Sequence, residues 1–128
     1  MQHRAAWTSH GDTWALPGGA REASEDARQA AGREVAEETE IYPDSYEVLG
    51  QAVTAGPFPA DPDRPELAGQ WTYTTVFARA PHQLETHPNE ESHELRWVAL
   101  DEVAQLKLMP AFAASWPKVK QLLLDYLN

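Results

Sequence analysis

The chain contains no cysteine. That one absence removes disulfides, thiolate metal ligands and cysteine nucleophiles together. It suits a reducing cytosol, and a cytoplasmic location is the expectation. No stretch approaches the run of about 18 apolar residues needed to cross a bilayer. Met1–Gly19 lacks the apolar core of a secretory signal. Basic residues are scarce, 10 Lys and Arg against 20 Asp and Glu, for a formal charge of −10. A surface of that sign repels nucleic-acid backbones and anionic membranes, so neither polymeric DNA or RNA nor a membrane is an expected partner. Internal repeats and low-complexity tracts are missing as well.

What the chain does have is aromatic mass: five Trp, four Tyr and three Phe in 128 residues. This suffices for one domain over 1–128 with a core of its own. Trp14-Ala15-Leu16 reads as a strand end running into the Pro17-Gly18-Gly19 turn. Ser24 to about Thr39 reads as a helix, with Ser24 as N-cap and Glu25 and Asp26 at the positive end of its dipole. Ala27, Ala31 and Val35, with Ala30 beside them, give it a narrow small-residue face for close packing. Tyr46–Ala55 and Gln70–Ala80 are rich in Val, Thr, Tyr and Trp, as strands are. Glu94–Leu100 alternates polar and apolar and reads as a further strand, followed by a short helix capped by Asp101 and running to Leu106. Pro117–Leu127 reads as a final amphipathic helix with Pro in its first turn. Gly56–Gly69 holds four prolines and is expected to be a loop rather than helix or central strand. Strands mixed with helical segments indicate an α/β domain.

The chemistry points to one segment, Arg33-Glu34-Val35-Ala36-Glu37-Glu38. On a helix, residues three and four apart stand about 5–6 Å apart at Cβ, and like charges there repel. Glu34, Glu37 and Glu38 are therefore neighbours, and Arg33 at spacing four from Glu37 relieves one charge only. A divalent cation would relieve the rest, because Mg²⁺ takes carboxylate oxygens, keeps several waters and accepts phosphate oxygens as further ligands. Such an arrangement suits pyrophosphoryl chemistry. A solvated acidic face is the alternative, and the acids alone do not exclude it.

The spacing around these acids is more specific. From Gly19 the chain runs through five residues to Glu25, seven more to Arg33-Glu34-Val35, then Glu37-Glu38, Glu40 and Ile41. This resembles the Nudix box, G-x5-E-x7-R-E-U-x-E-E-x-G-U, with U a bulky aliphatic. Eight of nine specified positions agree, and Glu40 stands where the family has Gly. At typical residue frequencies the six fixed-identity matches arise by chance on the order of 10⁻⁷ per start position. The run Trp14-x-Leu16-Pro17-Gly18-Gly19 and the segments Trp71–Val76 and Glu94–Val98 are similar to flanking parts of MutT-like members, so the resemblance covers most of the chain.

The resemblance implies a Nudix-type α/β/α sandwich, a mixed sheet between helices, and hydrolysis of a pyrophosphate bond in a nucleoside diphosphate-linked small molecule, with (d)NTP housecleaning as one role. It implies Mg²⁺ or Mn²⁺ held by Glu34, Glu37, Glu38 and the carbonyl of Gly18, with Arg33 orienting the acids through Glu37 or Glu25. A further acid comes from Glu90, Glu91 or Glu94. Glu91, six residues before Trp97, is the choice. His87 and His93 are further proton acceptors to consider. Trp14, Trp71, Tyr73 and Phe58 are candidate base-stacking surfaces. Glu40 in place of Gly puts the loop after the helix in question, and the Pro-rich loop looks longer than its counterparts. Family members usually carry about twenty residues before the segment resembling Gln2-His3-Arg4, forming a strand. The expectation is a sheet without that first strand and a homodimer contact or strand exchange covering the edge. The competing class is a Nudix fold that binds a nucleotide without turnover. Such members generally lose box acids, and this chain keeps them all. An acidic protein-interaction domain would explain the charge but not the spaced pattern.

Overall fold

The computed structural model describes residues 1–8, 10–22, 24–59 and 71–128. Its strands are β1 (Gln2–Arg4), β2 (Trp14–Ala15), β3 (Glu47–Phe58), β4 (Trp71–Arg79) and β5 (Ser92–Leu95), and its helices are α1 (Ala27–Thr39) and α2 (Pro110–Leu127). Single 3₁₀ segments stand at Pro43–Ser45 and Leu100–Gln105. Helices and strands thus mix as the α/β reading expects. The strands form two antiparallel sheets, β2-β1-β5 and β3-β4. Among the described residues the one parallel pairing is an isolated bridge, Trp14 to Leu108. Among the described residues β4 pairs with β3.

Several boundaries differ from the sequence reading. α1 starts at Ala27, capped by Asp26 rather than Ser24. Asp26 Oδ1 accepts from Gln29 N at 2.7 Å and Gln29 Oε1 accepts from Asp26 N at 3.0 Å. This reciprocal pair satisfies two orphan backbone donors, which a lone Ser24 cannot. Ser24 sits instead in the preceding turn. The Ala27, Ala31 and Val35 face is half-buried, whereas Ala30, Glu38 and Thr39 are buried. The inward face is therefore Ala30-Glu34-Glu38, at spacing four, with two acids in it. The helix ends in αL geometry although the C-cap is Glu40, at φ 60° and ψ 26°, and its N–H reaches Ala36 O at 3.1 Å. A non-glycine there costs roughly 1–2 kcal/mol. Thr39 offsets it by donating to Val35 O at 2.7 Å and accepting from Ile41 N at 3.1 Å.

β3 runs through Gly56 and Pro57 to Phe58, which pairs with Trp71. The start of the expected loop is thus strand, accommodated by register shifts on both sides of Ala55. The rest of that loop, 60–69, and Gln70 of the expected second strand lie outside the described residues. β5 covers Ser92–Leu95 rather than Glu94–Leu100, because its partner β1 is only three residues long. The segment after it turns into the 3₁₀ helix at Leu100, whose N-cap is Ala99 with no side-chain cap, not Asp101. Pro110, not Pro117, begins α2, and Pro117 lies inside the helix. Phe112, Trp116, Val119 and Leu123 form one apolar stripe at spacings of four, three and four. Burying each such side chain is worth about 1.5–3 kcal/mol, which outweighs the hydrogen bond Pro117 omits.

The core is Phe77 of β4, Val103, and Phe112, Trp116 and Val119 of α2, with Met1, Leu49, Leu122 and Leu123 packed around them. α1 packs against β4 as well. No helix among the described residues is long and apolar enough to cross a membrane.

Candidate active site

The strand pairing decides what faces the acidic helix. β1 lies between β2 and β5, pairing Gln2 with Leu95 and Arg4 with Ser92, and so draws the residues just before β5 toward α1. Gln2 is 1% exposed; its Nε2 donates to Ser92 Oγ at 2.8 Å and to Glu38 Oε1 at 3.4 Å. The next side chain, His3, points the other way and stacks on buried Trp14 at 4.7 Å. Ala5 N donates to Glu91 O at 2.9 Å, and Asn89 ties the loop to the helix. Its Nδ2 donates to Glu37 O at 3.1 Å while its Oδ1 accepts from Glu91 N at 3.0 Å.

Beside these bonds lies an open-sided cavity of about 350 Å³ lined by Arg4, Trp7 and Thr8, by Gly18 and Gly19, and by Glu34, Glu38 and Glu91. The acids within it disturb one another. Burial pushes the Glu38 carboxyl up to about 8, helped by the charges of Glu34 and Glu91 and opposed by the hydrogen bond from Gln2. Glu34 is raised as well, by burial first, against the lowering effect of Arg33. Arg33 spans the turn between the Gly loop and the helix. Its Nε and Nη2 clasp Glu25 at 2.8 and 2.9 Å, Nη1 donates to Glu34 at 2.9 Å, and Nη2 reaches Ala20 O at 3.2 Å. The two-pronged bond holds Glu25 down at about 2 and raises the Arg33 guanidinium further.

Most of the predicted set converges here: Gly18, Glu34, Glu38 and Glu91 line the cavity, and Arg33 orients Glu34. Arg33 prefers Glu25 to Glu37, which stands 3.6 Å from Nη1 with its side chain 57% exposed, outside the cavity lining. Glu90 contributes its carbonyl, which accepts from Trp7 Nε1 at 3.1 Å, and Glu94 pairs with Arg96 at 3.1 Å. His93 sits edge-on to His3, and His87 pairs with Glu85 at 3.4 Å. None of the four aromatic candidates lines the cavity. Trp14 is buried, and Phe58, Trp71 and Tyr73 pack on one another at 4.6–5.8 Å. The sequence reading missed Gln2 and Asn89. Neither carries a local signal, since an amide in a strand or loop shows its partner only after folding.

The donors fit a divalent cation. Glu38 Oε2 is buried without a hydrogen-bond partner, three carboxylates repel across one space, and hard oxygens are what Mg²⁺ and Mn²⁺ take. Among the described residues no three His, Asp or Glu side chains are drawn into a ready-made cage. Gly19 marks how closely the Gly turn approaches these acids. A Cβ there would stand 2.6 Å from the Glu34 carboxyl carbon. Gly19→Ala should displace that flexible carboxylate rather than the backbone. The expected result is an unchanged melting temperature with kcat/KM lower by about tenfold to a hundredfold. An unaltered kcat/KM would remove Glu34 from the reaction.

The NUDIX domain family matches residues 1–119. The chain belongs to the Nudix family. A Mycobacterium tuberculosis protein named "Putative 8-oxo-dGTP diphosphatase 3" is 48% identical over 124 residues, covering 94% of this chain and 52% of that protein. A Bifidobacterium longum "Nucleoside triphosphate pyrophosphatase/Nudix hydrolase fusion protein" is 40% identical over 92% of this chain and 23% of its own length. The chain thus spans about half, or less, of these curated relatives. The crystal structure of the Nudix hydrolase RenU from M. smegmatis superposes with a TM-score of 0.85 at 44% identity, over 97% of this chain and 73% of that one. A MutT protein from Methanosarcina mazei shares the fold, with a TM-score of 0.64 at 19% identity, over 94% and 81%. This Nudix chain therefore has the family's fold as well as its box.

Proposed function

We propose that this Nudix chain hydrolyses the pyrophosphate bond of nucleoside diphosphate-linked substrates, nucleoside triphosphates with a damaged base among them, with Mg²⁺ or Mn²⁺. The observation that carries the reading is the buried Glu38 carboxylate, with one oxygen unpartnered, facing Glu34 and Glu91 across a cavity that the Pro-Gly-Gly turn closes. The names of the M. tuberculosis and B. longum relatives support the nucleotide class.

Glu34, Glu38, Glu91 and the Gly18 carbonyl would hold the cation, with Glu37 at the exposed rim. When bound, the cation supplies charge that neutralises phosphate oxygens and acidifies a water. Gln2 fixes the Glu38 carboxylate by one oxygen, and Arg33 fixes Glu34. Glu91, tethered through its backbone to Ala5 and Asn89, would accept the proton of the attacking water. That water adds to one phosphorus, the bridging P–O bond breaks, and the electron pair leaves with the departing phosphate. Arg4 places positive charge in the cavity wall beside the acids.

The test is release of phosphate and pyrophosphate from a panel of nucleoside di- and triphosphate derivatives, 8-oxo-dGTP included, with and without Mg²⁺ or Mn²⁺. Metal-dependent turnover is expected. Tight nucleotide binding with no turnover on any substrate would replace the hydrolase reading by a ligand-binding one. A homodimer contact belongs to the same proposal and is checked by light scattering of the assayed protein.

A further inference from the structure

The proposed reaction places the phosphates and leaves the nucleobase without a holder. We propose that Trp7 is the stacking platform for that base, and so the residue that binds the far end of the substrate; this rests on the nucleotide reading above. Trp7 lines the same cavity as Glu34, Glu38 and Glu91. At 67% exposure it is the most exposed of the large hydrophobic side chains described. The others that are exposed, Tyr42, Trp97 and Tyr126 among them, do not line that cavity.

The ring is anchored without being covered. Its Nε1–H donates to Glu90 O at 3.1 Å, which fixes one edge, and among the described residues no other ring packs on its faces. Described residues beside it are tied by backbone hydrogen bonds. Ala5 N bonds Glu91 O at 2.9 Å, Thr8 N bonds Ala5 O at 3.0 Å, Asp12 N bonds Arg4 O at 3.0 Å and Arg4 N bonds Thr13 O at 2.8 Å. A flat apolar face with one edge anchored beside a phosphate-chemistry site suits a base, since base–aromatic stacking tolerates any base identity. Holding an indole in water with its polar edge satisfied has no packing benefit of its own. A stacked base would supply one.

The competing role for Trp7 is purely to tether the Glu90-Glu91 loop, and two ligands separate them. Wild type, Trp7→Ala and Trp7→Phe are titrated by calorimetry in Mg²⁺ with an α,β-methylene nucleoside diphosphate, and with methylenediphosphonate, which has the same bridge and no base. Stacking predicts that Trp7→Ala weakens the nucleotide analogue by roughly tenfold to a hundredfold. Methylenediphosphonate should change by less than about twofold, and Trp7→Phe, which keeps a ring and loses the N–H, should retain most of the nucleotide affinity. In turnover assays KM rises in Trp7→Ala while kcat holds. Equal weakening of both ligands, or no change in either, overturns the stacking role. Wild type that binds base-free diphosphonate but not the nucleotide overturns it too, while wild type that binds neither takes down the proposed function and this inference together.

Discussion

Glu38→Gln is expected to lower kcat by about a thousandfold, the equivalent of several kcal/mol of lost charge stabilisation in the transition state. The substitution keeps size and hydrogen-bonding shape and removes only the negative charge. Its effect is large because Glu38 is 3% exposed, has one oxygen without a partner, and faces Glu34 and Glu91. The same burial gives the variant an opposite signature in the metal-free protein. A carboxyl raised from 4.5 to about 8 binds its proton more tightly in the folded chain than in the unfolded one. Its contribution to stability is therefore full below pH 4.5 and is lost as pH rises through 8. Glutamine has no proton to lose. Without metal, Glu38→Gln should match wild type below pH 4.5 and melt higher than wild type above pH 8. Added Mg²⁺ should reverse the order, because it stabilises whichever protein binds it. Thermal melts across pH with and without Mg²⁺, run beside kcat, check this. Wild-type kcat in the variant would sink the assignment of Glu38.

The second large effect is expected at Arg33. Arg33→Met keeps the aliphatic stem and deletes the guanidinium, which contacts Glu25, Glu34 and the Ala20 carbonyl. Two carboxylates mostly shielded from water, at 14% and 15% exposure, then lose their cation. The Gly turn also loses its pin to α1. The melting temperature should fall by several degrees, and kcat/KM by about tenfold to a hundredfold, the usual cost of losing a residue that orients ligands. Arg33→Lys should rescue little of either, since a single ammonium cannot make the two-pronged bond to Glu25 and also reach Glu34. Acid sensitivity gives an independent readout. Glu25, held at about 2, contributes stability above pH 4.5 that is lost as pH falls through 2. Arg33→Met should flatten that limb of the pH profile. A variant with unchanged kcat/KM and melting temperature would show the clasp to be idle.

Sequence legibility differed by the range of the interactions. Gly18, Arg33, Glu34, Glu37 and Glu38 could be read from one continuous run, because a helix fixes the spacing of its own side chains and the Gly turn lies just before it. Glu91 came from its distance to Trp97, a weaker signal, yet β1–β5 pairing does bring it to the cavity. The base-stacking candidates show the limit. Aromatic character marked Trp14, Trp71, Tyr73 and Phe58, but it does not distinguish a ring packed on its neighbours from one facing a ligand. Pro117 likewise looked like a helix start because the sequence does not display that Phe112 and Trp116 share a core with Phe77.

By itself, then, the sequence determined the class of fold, the box and the acids of α1, since each is a matter of short-range spacing and backbone preference. Tertiary structure decided which of those acids are buried together, with Glu38 inside and Glu37 at the surface. It also decided that Gln2 bonds Glu38, that Asn89 bonds the Glu37 carbonyl, and that Trp7, bonded to the Glu90 carbonyl, lines the same cavity. Those contacts join residues separated by 36 to 83 positions. They exist only because strand pairing and core burial, which act across the whole chain, bring the segments together.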